Sequence, residues 1–153
     1  MALDKEIKEQ LAQYLALLES EVVFQASLAS DDNSIKVKEF LEEIVAMSPM
    51  ISLEELSLSR TPSFKIAKKG QTSGVEFAGL PLGHEFTSFI LALLQVSGRA
   101  PKVDDTVIQQ IKAIDQPLSF ETYVSLTCHN CPDVVQALNI MAVVNPLISH
   151  VMI

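Results

Sequence analysis

The chain has 153 residues, of which 48% are apolar, a length that suits one domain or two small ones. Nineteen acidic residues against eleven basic ones give a net charge of −8, which argues against nucleic acid and against an anionic membrane surface as partners. The longest unbroken apolar stretch, 89–94, is far shorter than the ~20 residues that span a bilayer. The N-terminus alternates charges and has no apolar signal core, so a cytoplasmic location is expected.

Residues 1–98 predict a compact α/β unit. Apolar periodicity predicts helices over 3–19, 31–47 and 84–96, and strands over 21–28, 51–58, 61–67 and 75–78. Asp31–Ser34 supplies N-cap candidates for the second helix. We expect the inner face of that helix to carry Ile35, Phe40, Leu41, Ile44 and Met47.

Residues 99–116 predict a linker and a connecting helix, with Val107, Ile111 and Ile114 on one face. Residues 117–153 then predict a strand over 118–124, a helix over 132–144 and a strand over 147–153. This order repeats the front half of the first unit and then stops. We therefore expect the last unit to leave apolar faces uncovered and its terminal strand to offer an unpaired edge.

The two cysteines, Cys128 and Cys131, stand three positions apart between a predicted strand and a predicted helix. That spacing closes a small disulfide ring, and the context favours thiol–disulfide exchange. We expect Cys128 at the helix N-terminus, where free N–H groups and the helix dipole favour a thiolate, and Cys131 one turn in, as the resolving thiol. His129 lies between them and would favour the thiolate further when it is protonated.

Two other interpretations of the cysteine pair remain open. A zinc site needs about four ligands, whereas His84 and His150 lie in other segments of the chain. Alternatively, both thiols are small core residues without a reaction. Glu85 also has two interpretations: an acid favoured by the first turn of its helix, or a carboxylate that handles the protons of the dithiol.

Four segments together carry a family resemblance. The run SLTCHNCPDVVQALN at 125–139 and the run PLGHEFTS at 81–88 resemble the N-terminal region of the flavoprotein subunit of alkyl hydroperoxide reductase. Thr61–Phe64 and Phe120–Tyr123 fit the same pattern, so the resemblance covers essentially the whole chain. The string Cys-His-Asn-Cys-Pro-Asp is much more specific than a bare Cys-x-x-Cys pair.

The resemblance implies two tandem thioredoxin-like units in an α/β fold. The first, 1–98, is complete but lacks a dithiol, and it has 29–32 (Ala-Ser-Asp-Asp) where a thioredoxin carries Cys-x-x-Cys. The second, 117–153, carries Cys128 and Cys131 and is cut short after β-α-β, which suggests a fragment or a truncated gene product. The resemblance also implies that Glu85 reaches from the first unit to the dithiol.

In the family, electrons pass from NADH through FAD to this dithiol and then to the peroxiredoxin subunit of the same enzyme system. The resemblance therefore implies a disulfide oxidoreductase module whose partners are that peroxiredoxin and the flavin and NADH domains of the parent enzyme. No Gly-x-Gly-x-x-Gly fingerprint occurs in the sequence, so we expect this chain to bind neither FAD nor NADH. The alternatives are a non-catalytic module that only docks a partner and a small metal-binding domain.

Overall fold

The structure is a computed structural model that describes residues 3–153. Five α-helices are formed, with a short 3₁₀ turn at Gly83–Glu85 just before the third. The helices are α1 (Lys5–Leu15), α2 (Asp32–Val45), α3 (Phe86–Ser97), α4 (Asp105–Lys112) and α5 (Cys131–Val144). The strands are β1 (Val22–Ser27), β2 (Ile51–Glu55), β3 (Ser63–Lys68), β4 (Val75–Phe77), β5 (Leu118–Thr122) and β6 (Ile148–Met152). No helix within residues 3–153 has the length and apolar character needed to cross a bilayer.

Local sequence signals account for where several helices begin and end. The Asp4 carboxylate accepts a hydrogen bond from the Ile7 N–H at 2.8 Å and caps α1. Asp31 caps α2 in the same way, as predicted, and the hydrogen bond from Ser34 lowers the pKa of this carboxyl. Gly98 ends α3 with a φ of 126°, a conformation that glycine adopts without strain.

All six strands lie in one sheet, in the order β2-β1-β3-β4-β6-β5. The pairs β1/β2, β4/β6 and β5/β6 are parallel, whereas β1/β3 and β3/β4 are antiparallel. Helix α2 connects the parallel strands β1 and β2, and helix α5 connects the parallel strands β5 and β6. The sheet therefore has one βαβ unit at each of its two ends.

The core is centred on Phe89 of α3. Four other phenylalanine rings, all fully buried, have centroids 5.3–6.0 Å from that of Phe89: Phe24, Phe40, Phe64 and Phe77. The rings pack edge-on or stacked, the two arrangements that aromatic quadrupoles favour. This cluster fixes α3, and therefore the 3₁₀ turn in front of it, on the sheet.

The pairing of β4 with β6, which we call the seam, joins the two groups of strands. Val75 lies opposite His150, and Phe77 lies opposite Met152. The His150 N–H donates to the Gly74 carbonyl at 2.7 Å, and the Ala78 N–H donates to the Met152 carbonyl at 2.7 Å. The seam overturns the expectation of an unpaired terminal strand, because β6 lies between two neighbours and its inward residues share the common core.

One assignment to an inner helix face is wrong. Ile35 is 46% exposed, because the buried stripe of α2 runs through Val37, Phe40 and Ile44, and Ile35 lies roughly a third of a turn or more from it. On α4, Ile111 is buried, whereas Val107 is 41% exposed. The predicted helices and strands are otherwise present, with ends that differ by one to several residues, which is the usual error at element boundaries.

Candidate functional site

The two cysteines form a disulfide at the opening of α5. Their Cα atoms are 5.5 Å apart, within the normal range for a disulfide, and both residues are partly buried rather than sealed from solvent. A turn leads into the pair: the Cys128 N–H donates to the Ser125 carbonyl at 2.9 Å. Neither cysteine is fully buried.

The structure places Cys128 before the helix and not at its N-terminus, and Cys131 at its first turn and not one turn in. Helix α5 begins at Cys131, so Cys131 is its first residue and Cys128 lies in the turn before it. Pro132 follows at a position where its missing N–H is harmless. Asn130 makes no side-chain capping bond, which leaves the first N–H groups of α5 without a side-chain acceptor beside the pair. Both sulfurs thus adjoin the positive end of a helix dipole.

The 3₁₀ turn at 83–85 packs directly against the dithiol turn. The His84 N–H donates to the Leu126 carbonyl at 3.0 Å. Gly83, with a φ of 60°, allows this approach, since a Cβ there would lie 2.8 Å from the same carbonyl oxygen. The segment before α3 and the segment before α5 therefore meet at the site.

This contact also brings two histidines together. The exposed rings of His84 and His129 have centroids 4.7 Å apart, at an angle of 59°. Sequence reasoning placed His84 in an unrelated segment and missed the pair, since nothing in the local pattern of either segment indicates the contact. Within residues 3–153 no group of three or more His, Cys, Asp or Glu side chains is arranged to hold a metal ion.

Glu85 is completely buried between α3 and α5. Its Oε1 accepts a hydrogen bond from the Ser88 hydroxyl at 2.8 Å, and the Ser88 oxygen accepts one from Gln136 Nε2 at 3.1 Å. Among the described residues Oε2 has no hydrogen-bond partner. A buried carboxyl oxygen without a partner is costly for stability, so such a group is more typical of a functional site than of a helix end.

His150 lies buried under the site, on β6. Its ring nitrogens contact Asn139 Oδ1 at 2.8 Å and Thr122 Oγ1 at 2.7 Å, which links α5 to the end of β5. Burial lowers the pKa of this imidazole to about 4, because a charged ring would lose its hydration there. His150 is therefore a neutral, packed side chain at neutral pH.

The His150 pKa predicts a stability loss in mild acid. The folded-state pKa is below the ordinary value, so stability is intact above pH 6.5, falls as pH drops toward 4, and changes no further below that through this group. The free energy of unfolding should fall by at most about 3 kcal/mol across that window. Urea titrations of the wild type and of His150→Gln should show a shallower pH slope in the variant. Equal slopes would contradict the prediction.

A cavity of about 670 Å³ lies at the other end of the seam and contains neither cysteine. It is bounded by the β3–β4 turn and by the last turns of α3 and α5, with Lys65, Lys68 and Arg99 on its wall. The candidate site is thus the exposed dithiol turn and not this cavity.

A mixed α/β sheet with a Cys-x-x-Cys disulfide at the start of a helix defines the thioredoxin-like class of proteins. A protein disulfide oxidoreductase from Aeropyrum pernix shares this fold, with a TM-score of 0.82 over 97% of this chain and 74% of that one, at 18% identity. The N-terminal domain of the alkylhydroperoxide reductase AhpF from Enterococcus faecalis superposes with a TM-score of 0.88, at 30% identity, over 98% of this chain and 79% of that one.

Sequence relatives give the same result. A protein of Staphylococcus aureus (strain NCTC 8325) named as the AhpF subunit of alkyl hydroperoxide reductase is 57% identical over 151 residues, 99% of this chain and 30% of its own length. A Bacillus subtilis (strain 168) protein named NADH dehydrogenase is 56% identical over 153 residues, all of this chain and 30% of its own length. No protein-family model matches the chain.

The chain belongs to the AhpF family of alkyl hydroperoxide reductase subunits and corresponds to the N-terminal domain of that family. This finding confirms the resemblance that the sequence motifs indicated. The chain spans about 30% of the length of the two sequence relatives.

Proposed function

We propose that this chain is a thiol–disulfide relay of alkyl hydroperoxide reductase, acting in the cytoplasm and passing two electrons at a time to the peroxiredoxin subunit of that system. The observation that carries the proposal is the accessible Cys128–Cys131 disulfide at the opening of α5, in a chain of this family. Electrons would come from NADH through FAD in the remaining part of the parent enzyme. This sequence has no Gly-x-Gly-x-x-Gly fingerprint with which to hold either group.

The chemistry needs two consecutive exchanges. The reduced Cys128 thiolate attacks one sulfur of the partner disulfide, which forms a mixed disulfide and expels a partner thiolate. The Cys131 thiolate then attacks the Cys128 sulfur, closes the ring and expels the second partner thiolate. The module thereby loses two electrons and the partner gains them, and the protons released when the two module thiols ionise are balanced by those that the two partner thiolates take up. The neighbouring N-terminus of α5 stabilises the sulfur anions during these steps.

Glu85 and His129 have supporting roles in this proposal. Glu85 takes up and returns a proton of the dithiol, for which its buried, unpartnered Oε2 is suited. His129, exposed between the two cysteines and held against His84, adds positive charge beside the thiolate when it is protonated.

We also propose the domain division of the resemblance: a unit over 1–98 without a dithiol, a linker over 99–116 and a partial unit over 117–153. Support comes from the two matching βαβ arrangements, β1-α2-β2 and β5-α5-β6, on either side of the seam. Asn145 anchors the linker helix to the second arrangement, since its Nδ2 donates to the carbonyls of Ile111 and Ile114, both at 2.9 Å.

A specific observation favours a second candidate, a module that only docks a partner. Three apolar side chains near the dithiol are unusually exposed: Tyr123 at 68%, Leu126 at 38% and Val134 at 51%. Exposed apolar groups in one region are typical of protein contact surfaces. A redox relay needs such a surface as well, so the two candidates differ only in whether electrons move.

Transfer to a peroxiredoxin tests the relay. The chain is reduced with dithiothreitol, freed of reductant and mixed with the oxidised peroxiredoxin subunit of a relative's alkyl hydroperoxide reductase. We expect one peroxiredoxin disulfide to be reduced for each Cys128–Cys131 disulfide formed, and none by the Cys128→Ser variant. If the wild type transfers no electrons but still binds the peroxiredoxin, the docking module is correct and the relay is wrong.

A further inference from the structure

Three side chains form a hydrogen-bonded row across the interface of α3 and α5. Gln136 Nε2 donates to the Ser88 oxygen, and the Ser88 hydroxyl donates to Glu85 Oε1. Ser88 and Glu85 are 1% and 0% exposed, and Gln136 is partly buried. Gln136 lies on the helix that begins with Cys131, so the row ties the carboxyl of Glu85 to the element that carries the resolving cysteine.

The donor directions decide which carboxyl oxygen is free. A hydroxyl has one hydrogen, and an amide nitrogen can only donate. Because Gln136 donates to the Ser88 oxygen, the single Ser88 hydrogen is directed to Oε1 of Glu85. Oε1 is then occupied as an acceptor, and Oε2, which has no partner among the described residues, is the atom left to gain or lose a proton.

We propose that Ser88 and Gln136 are positioning residues that fix the Glu85 carboxylate with Oε2 available to the dithiol. The inference rests on the proposed role of Glu85 in proton handling. In the resolving step the Cys131 S–H bond breaks and its proton passes to Oε2. The electron pair left on sulfur forms the new bond to Cys128, the bond from Cys128 to the partner sulfur breaks, and the partner leaves as a thiolate. Oε2 then gives up its proton to that thiolate or to water.

Charge and burial explain why a positioned carboxylate needs this row. A fully buried carboxylate loses its hydration, and a hydrogen bond from a neutral donor is the compensation that remains. Without the Ser88 hydroxyl both carboxyl oxygens would lack partners, and no hydrogen bond would hold the carboxylate with Oε2 in one orientation. Gln136 acts one step further away, by holding the Ser88 oxygen in its donating orientation.

The resolving step can be measured alone in the full chain. Cys128 is converted to a mixed disulfide with 5-thio-2-nitrobenzoate, and release of this coloured thiolate by Cys131 is followed by stopped flow between pH 5 and pH 9. We expect Ser88→Ala and Gln136→Leu to slow release at neutral pH by about tenfold and about threefold, and to change how the rate depends on pH. Thr87→Ala, an exposed neighbour of Ser88 on α3, is the matched control and should behave as the wild type.

The Glu85→Gln variant distinguishes the proton-handling role of Glu85 from the positioning roles of Ser88 and Gln136. If Glu85→Gln leaves release unchanged, the proposed role of Glu85 fails, and the positioning role fails with it. If Glu85→Gln slows release while Ser88→Ala and Gln136→Leu match Thr87→Ala, only the positioning role is wrong. The double variant Glu85→Gln/Ser88→Ala should be no slower than Glu85→Gln alone, since Ser88 acts through Glu85; additive slowing would overturn the inference. Gln136 is partly exposed, so Gln136→Leu remains informative even if Ser88→Ala unfolds.

Discussion

Replacing Cys131 with Ser is expected to trap this chain on its partner. In the Cys131→Ser variant Cys128 still attacks a partner disulfide, but the hydroxyl that replaces the second thiol cannot expel the partner. The covalent complex should therefore accumulate to nearly one equivalent of peroxiredoxin per chain, and release of reduced peroxiredoxin should fall to the background level. Non-reducing electrophoresis of the reduced variant mixed with an oxidised peroxiredoxin measures both results.

The matched control removes the other thiol of the pair. Cys128→Ser removes the thiol in the turn before α5 and should give no covalent complex and no turnover. Both variants lack the disulfide equally, so a difference between them reports the order of attack and not the loss of the crosslink. If Cys128→Ser traps the partner instead, Cys131 is the nucleophile. If neither variant does so, the docking module gains support.

The dithiol could be predicted from sequence because its signal is local. A strand, Cys128, two residues, Cys131 and a proline occur within one short segment, and each part of that pattern has a physical reason. The same holds for the capping role of Asp31 and for the helices and strands, whose periodicity is a property of neighbouring residues. Cys128 nevertheless lies outside α5, because a turn in which its N–H donates to the Ser125 carbonyl precedes the helix.

The surroundings of the dithiol were less predictable, because they depend on how distant segments pair. The position of β6 between β4 and β5 follows from a parallel pairing with a strand far away in the chain, and no local rule selects that partner. The pairing aligns the 3₁₀ turn with the dithiol turn, and only then does His84 meet His129. The burial of Glu85 and its link to Gln136 likewise exist only once α3 and α5 pack together.

The seam itself yields the second large prediction, at Gly74. This residue enters β4 with its backbone pressed against β6: a Cβ at Gly74 would overlap the Ile148 carbonyl oxygen and lie 3.0 Å from the Ser149 Cα. Backbone atoms of a central strand cannot turn aside as a flexible side chain does. Gly74→Ala should therefore push β4 away from β6, strain the bond from the His150 N–H to the Gly74 carbonyl, and cost about 3 kcal/mol of unfolding free energy.

Thr72→Ala is the control for this substitution, because Thr72 is exposed in the same turn. Urea unfolding should show a large shift for Gly74→Ala and almost none for Thr72→Ala. A wild-type midpoint in Gly74→Ala would mean that β4 and β6 are not in contact. The seam also aligns the turn at 83–85 with the turn at 125–128. Under conditions where Gly74→Ala is still folded, it should therefore close its Cys128–Cys131 disulfide more slowly than the wild type. If Gly74→Ala is less stable but closes its disulfide at the wild-type rate, the two turns meet independently of the seam.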